Sequence, residues 1–173
     1  KEVENFVEEI LKRKKCILAP SANPEQWSKA LSSFFLNHSI FNWTDDFNYS
    51  KCHTYEILVK NGNWIKPTNL EQTSFLINNL GGEKVSVVLK MSVIMPYYLT
   101  DLVRQYVKDG QVIEQIVSPL SSLQEEVLRK TEEFALMQGF QKLPETYIDR
   151  VVPNIELDLA KPATIYNCLF EDE

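Results

Sequence analysis

Residues 83–95 read EKVSVVLKMSVIM, and the fold turns on this stretch. Val85, Val87, Leu89, Met91, Val93 and Met95 alternate with Ser86, Val88, Lys90, Ser92 and Ile94, which is the two-residue period of a β-strand. The second set is mixed rather than polar, so the strand is expected at the centre of a sheet with both faces partly covered. Pro96, which has no N–H to give to a ladder, ends it. Downstream, Leu99, Leu102, Val103, Tyr106 and Val107 would suit one face of a helix. The turn decides against that: Asp109-Gly110 is a hairpin dipeptide and 111–117 is β-branched, so 97–108 is read as a strand that pairs back with 111–117.

Working outward, Ser118-Pro119 leads into a helix over 122–138, with Leu120, Leu123, Val127, Thr131 and Phe134 expected inward. Glu125 with Arg129 and Glu126 with Lys130 form i, i+4 pairs, Gly139 stops the helix, and Phe140 is placed to close the cap. Residues 148–152 and 155–159 read as extended pieces on either side of Pro153, and 163–170 as a closing strand before the acidic Glu171, Asp172 and Glu173. Upstream, 52–60 reads as a strand, with Asn61-Gly62 folding 63–66 back as its partner. Thr68 and Glu71 form a capping box for a helix carrying Leu70, Leu76, Ile77 and Leu80, which Gly81-Gly82 ends. Asn23-Pro24-Glu25-Gln26 starts another helix, whose stripe is Trp27, Ala30, Leu31, Phe34 and Phe35. Val3, Phe6, Val7, Ile10 and Leu11 mark an amphipathic first helix, acidic early and basic late, as its macrodipole favours. The expectation is one α+β domain over 1–173, a mainly antiparallel sheet of about five to six strands with helices packed on it. Val85, Val87, Leu89, Val93, Val127, Phe134 and Leu169 are its expected core.

Eighteen basic against twenty-four acidic residues give a formal charge of −6. A phosphate backbone is a poor partner for such a chain, and a basic protein a better one. Three cysteines, Cys16, Cys52 and Cys168, are too few and too scattered for a disulfide framework, which suggests reduced thiols in the cytoplasm. No apolar run approaches the roughly 18 residues of a membrane span, and neither export nor insertion is signalled.

Motifs that name a reaction are absent from the sequence: it has no phosphate loop, dinucleotide fingerprint or nucleophile elbow. Cys52 and His53 are adjacent, but neighbours on a strand point to opposite faces and cannot form a dyad. Cys16, His38, Cys52, His53 and Cys168 lack zinc-ligand spacing, and Asp45-Asp46 lacks the glycine and distal glutamate of a calcium loop. Gly81-Gly82-Glu83-Lys84 ends a helix rather than opening one, the reverse of a phosphate cradle. No metal or cofactor is therefore expected.

One segment has the composition of a recognition surface: Phe41, Trp43, Asp45, Asp46, Phe47 and Tyr49 set large rigid rings among carboxylates and amides. These six residues are the expected partner-binding site. The functional expectation is a non-enzymatic, acidic protein-binding domain, of the immunity or antitoxin type, that neutralises a basic protein partner. The alternative is a small-molecule-binding or catalytic domain with a pocket between the sheet and the helices at 23–36 and 122–138, walled by Tyr97, Tyr98, Tyr106 and Tyr166.

Overall fold

The computed structural model describes residues 1–13, 23–45, 47, 50–155 and 157–173. Its elements are α1 (Glu2–Arg13), α2 (Ser28–Phe34), β1 (Ile40–Asn42), β2 (Cys52–Leu58), α3 (Leu70–Asn79), β3 (Glu83–Ser92), β4 (Tyr97–Lys108), β5 (Gln111–Ile116), α4 (Ser122–Met137), β6 (Gln141–Lys142), α5 (Glu145–Ile148) and α6 (Ile165–Leu169). β1 to β5 lie side by side in chain order with every neighbour antiparallel, and β6 adds one short parallel pair to β4. This is a single mostly antiparallel sheet dressed with helices, an α+β domain.

The hairpin behind this arrangement forms as the Asp-Gly dipeptide requires. Asp109 (φ 52) and Gly110 (φ 75) both take the left-handed backbone of a type I′ turn, and Lys108 pairs with Gln111. β3 is central, between β2 and β4, and is covered on both faces. Ile57, Val87 and Leu102 are in register across three strands, as are His53, Met91 and Tyr98, so they share a face. That face packs against Leu31 and Phe35 at α2 and against Val127, Phe134 and Ala135 of α4. On the opposite face, Phe41 and Leu58 meet Leu76 of α3 and Leu80 at its C-cap, while Cys52 joins Phe6 and Ile10 of α1 and Cys168 and Leu169 of α6. Val87, Leu89, Val127, Phe134 and Leu169 are buried as expected, whereas Val85 and Val93 are half-buried.

The end of α4 shows how little chain a cap needs. Phe140 N–H bonds to Ala135 O at 3.0 Å and Gly139 N–H to Leu136 O at 3.0 Å, a Schellman pair, and the Phe140 ring then meets Trp27 edge-on at 6.0 Å. Ser121 caps the start by accepting from Gln124 N–H. Leu120 consequently precedes the helix and is 89 % exposed, and Leu123 is exposed as well.

Four local expectations are corrected. Residues 163–170 do not form a strand: Thr164 and Asn167 make a reciprocal capping box, and Ile165, Cys168 and Leu169 bury one face of the helix α6. The extended pieces 148–152 and 155–159 give no named strand among the described residues, only α5 and an isolated bridge from Val151 to Thr164. Residues 63–66 do not fold back on β2, because Gly62 stands at φ 139 and its N–H and carbonyl are taken by Asn37 O and Ser39 Oγ. β1 holds that edge of β2 instead. Helix starts also slip: Asn69, not Thr68, caps α3, and Asn23-Pro24 make a turn ahead of α2.

Candidate functional site

The aromatic segment is divided between the interior and the surface. Phe41, on β1 opposite Glu56, is buried against Leu58 and α3. Phe47 is buried too, its ring edge-on to His53 at 5.3 Å. These two rings are core and cannot face a partner, which removes Phe41 and Phe47 from the six expected partner-binding residues. Trp43 is 40 % exposed and Asp45 is exposed, while Asp46 and Tyr49 lie outside the described residues.

Trp43 stands on a buried polar base. Its Nε1–H donates to Glu56 Oε1 at 3.0 Å. The other carboxylate oxygen, Oε2, accepts from Lys84 Nζ at 2.8 Å and Ser86 Oγ at 2.5 Å. The Glu56 and Lys84 side chains are only 6 % and 3 % exposed, so the pair is a buried ion pair with its partners in place. Above the ring sits Lys66, its Nζ 4.3 Å from the ring centroid and bonded to Asn42 O at 2.5 Å.

Lys66 leads to the better-formed surface. Residues 63–67 and α3 enclose a half-open cavity of about 370 Å³ lined by Trp64, Ile65, Pro67, Phe75 and Leu76, with the amides of Asn63, Gln72 and Asn79 and the chain of Lys66 at its margin. Ser39 positions the Trp64 wall: its Oγ donates to Gly62 O and accepts from Trp64 N–H, both at 2.7 Å. The indole then lies so close to Gly62 that a Cβ there would stand 2.9 Å from Nε1. Ile65 is 87 % exposed and Phe75 69 %, and Leu36 and Leu70 are exposed as well. A second, more polar hollow of about 390 Å³, formed by Ser32, Leu36, His38 and their neighbours, shares Asn63, Trp64 and Lys66 with the first.

The sequence does not point to this surface, because Asn61-Gly62 makes 63–66 read as the return strand of a hairpin. The signal was present in α3: Leu76, Ile77 and Leu80 make the buried stripe, and Phe75 falls roughly 100° off Leu76, on a face that apolar packing does not need.

The remaining candidates are closed. Cys52 and His53 do point apart: Cys52 Sγ lies in the apolar cluster with α1 and α6, 3.5 Å from Thr54 Oγ1, whereas His53 is packed between Phe47 and Tyr55. Burial raises the Cys52 thiol pKa and lowers that of the His53 imidazole, so neither group ionises readily. Burial likewise pushes the Cys168 thiol up to about 11. His38 Nδ1 lies 2.7 Å from Leu58 O, so that nitrogen carries the proton. Among the described residues no three His, Cys, Asp or Glu side chains are grouped to hold a metal ion.

The tyrosines do not converge. Tyr98 is buried on the α4 face, where burial raises its hydroxyl to about 12, while Tyr97 and Tyr166 belong with the cluster on the other side. The space between the sheet and helices α2 and α4 is filled by Leu31, Phe35, Tyr55, Val127 and Phe134. Tyr166 OH and Glu171 Oε2 both bond Lys90 Nζ, at 2.7 and 2.8 Å, and tie the C-terminal residues to β3. Among the described residues no helix is long and apolar enough to cross a membrane. Compared with known proteins, the chain matches no family model, no curated protein and no solved structure.

Proposed function

We propose that this chain is a non-enzymatic protein-binding domain that docks through the face formed by residues 63–67, α3 and Trp43. The observation that carries the reading is the concentration of exposed apolar side chains, Ile65 and Phe75 above all, around a preformed cavity. A large apolar side chain left in water costs solvation free energy, roughly 25 cal/mol per Å², and a cluster of them beside a concavity is the usual arrangement of an interface core. The anchors are rigid. Glu56 holds the Trp43 indole and the Phe41, Leu58, Leu76 and Leu80 cluster packs the Trp64 side chain, so little side-chain freedom is lost on docking. This reading retains Trp43 and the exposed Asp45 from the site expected from the sequence.

A cytoplasmic setting fits free, buried Cys52 and Cys168. An immunity- or antitoxin-type role, in which the domain masks another protein, is one function such a face can serve. The test is affinity capture with the full chain from extracts of its source, comparing the wild type with Phe75→Ser and Ile65→Ser. Both positions are exposed, so both variants should melt like the wild type. A specific partner should be retained by the wild type and lost from both variants. An identical set of captured proteins for all three would sink the reading.

A further inference from the structure

Glu71 of α3 and Asp45 are exposed on this face, but the two hollows at its centre are lined by lysine and by no carboxylate, and the inference drawn from that lining rests on the docking reading above. The formal charge is −6, yet no Asp or Glu lines either hollow. Lys66 lines both, and Lys60 Nζ lies 5.8 Å from the Trp64 ring centroid. Both lysines are exposed, and among the described residues neither is ion-paired with a carboxylate. The Trp43 ring and one carbonyl hold the Lys66 ammonium in place while leaving donors free, since an ammonium has three N–H groups and Asn42 O takes one. Glu25 is one carboxylate that feels Lys66, and hydrogen bonds from Ser28 and Asn42 already hold it below its ordinary value. It is committed to the start of α2, with Ser28 Oγ at 2.7 Å.

We propose that the partner offers this face an extended acidic segment, with an aromatic or aliphatic side chain in the cavity between Trp64 and Phe75 and flanking carboxylates on Lys60 and Lys66. Two hollows that share the Trp64 wall suit an extended chain, in which side chains two residues apart project the same way about 6.5 Å from each other. The amides of Asn63, Gln72 and Asn79 can meet the backbone of such a segment, which has donors and acceptors to satisfy once covered. A basic segment would instead bring like charge onto two lysines. Overall negative charge and a local cationic rim act at different ranges: the first is screened within about 10 Å at ordinary salt, the second operates in contact.

The test is selection of peptides from a displayed library of random heptapeptides on the full chain, followed by binding of the selected peptides to variants. Winners should combine Asp or Glu with a large apolar residue and bind Phe75→Ser at least about tenfold more weakly. Reversing both lysines, Lys60→Glu with Lys66→Glu, should turn the preference toward Lys- and Arg-bearing peptides. Lys60→Glu alone, which leaves the Asn42 and Trp43 contacts of Lys66 in place, should give the same trend, and melting curves show that each variant is folded. Winners that need Phe75 but are indifferent to both lysines would overturn the acidic chemistry and leave the docking face standing. Winners that ignore Phe75→Ser, or no winners at all, would overturn both.

Discussion

Glu56→Ala is the sharpest perturbation this structure offers. The carboxylate accepts from Lys84 Nζ, Ser86 Oγ and Trp43 Nε1, and its removal leaves an ammonium on a side chain only 3 % exposed with no counterion. Stranding one member of a buried pair typically costs about 3–5 kcal/mol, well above the roughly 0–1 kcal/mol of a surface pair. Glu56→Gln keeps the volume and one acceptor and should lose less, about 1.5–3 kcal/mol. Lys84→Met in the Glu56→Ala background should recover most of the loss, because the desolvated charge is then gone. Urea unfolding followed by tryptophan fluorescence measures each value, with an unchanged m confirming that native compactness is retained. The reasoning is refuted if Glu56→Ala costs less than about 1 kcal/mol, or if Lys84→Met adds its own loss instead of compensating. The same variant frees the Trp43 indole from its base, so a docking loss in Glu56→Ala beyond that of Trp43→Phe would show that the ion pair presets the ring.

Leu89→Ala, at a fully buried position of the central strand, should destabilise by about 2–5 kcal/mol in the same assay, and a loss under about 1 kcal/mol would show that the site collapses or is not core. His53 has its pKa lowered by burial, so the unfolded chain, near pKa 6.5, takes the proton first; stability should fall as pH drops from about 6.5 to the folded-state value and His53→Leu should flatten that slope. Asp172 titrates in a lower window: burial opposes its charge, but N–H groups of Ala160 (2.6 Å), Leu159 (3.1 Å) and Asp158 (2.9 Å) prevail and hold the carboxyl below its ordinary value. Its contribution should be present above about pH 4 and vanish as pH falls through the folded-state pKa, and Asp172→Asn should cost about 1–3 kcal/mol at pH 7 while showing no such acid limb. Gly62→Ala should displace the Trp64 indole and strain a backbone at φ 139, which a shift in tryptophan emission and loss of selected-peptide binding would register together.

Signals that act within a few residues were legible in the chain itself. The alternation of 83–95, the Asp109-Gly110 turn that made 97–108 a strand, the Gly139-Phe140 cap and the stripe of Val127, Thr131 and Phe134 each have a local cause, steric or solvational, that holds wherever the segment lies. The α+β class follows from their order. Other features depended on distant partners. Residues 63–66 had strand-like neighbours and a turn dipeptide, but Ser39 and Asn37 captured Gly62 and Trp64 from across the chain, and β1 took the edge of β2. Residues 163–170 alternate like a strand, but one capping box and an apolar pocket between α1 and β2 favoured a helix. The rings of 41–49 are alike in composition. Only the third dimension separated Phe41 and Phe47, which had apolar surface to cover, from Trp43, whose indole N–H had a buried carboxylate to reach and whose far face was left to water. Composition reports what a side chain can do, but burial depends on which distant surfaces the folded sheet brings against it, and that pairing is not written in any short stretch of sequence.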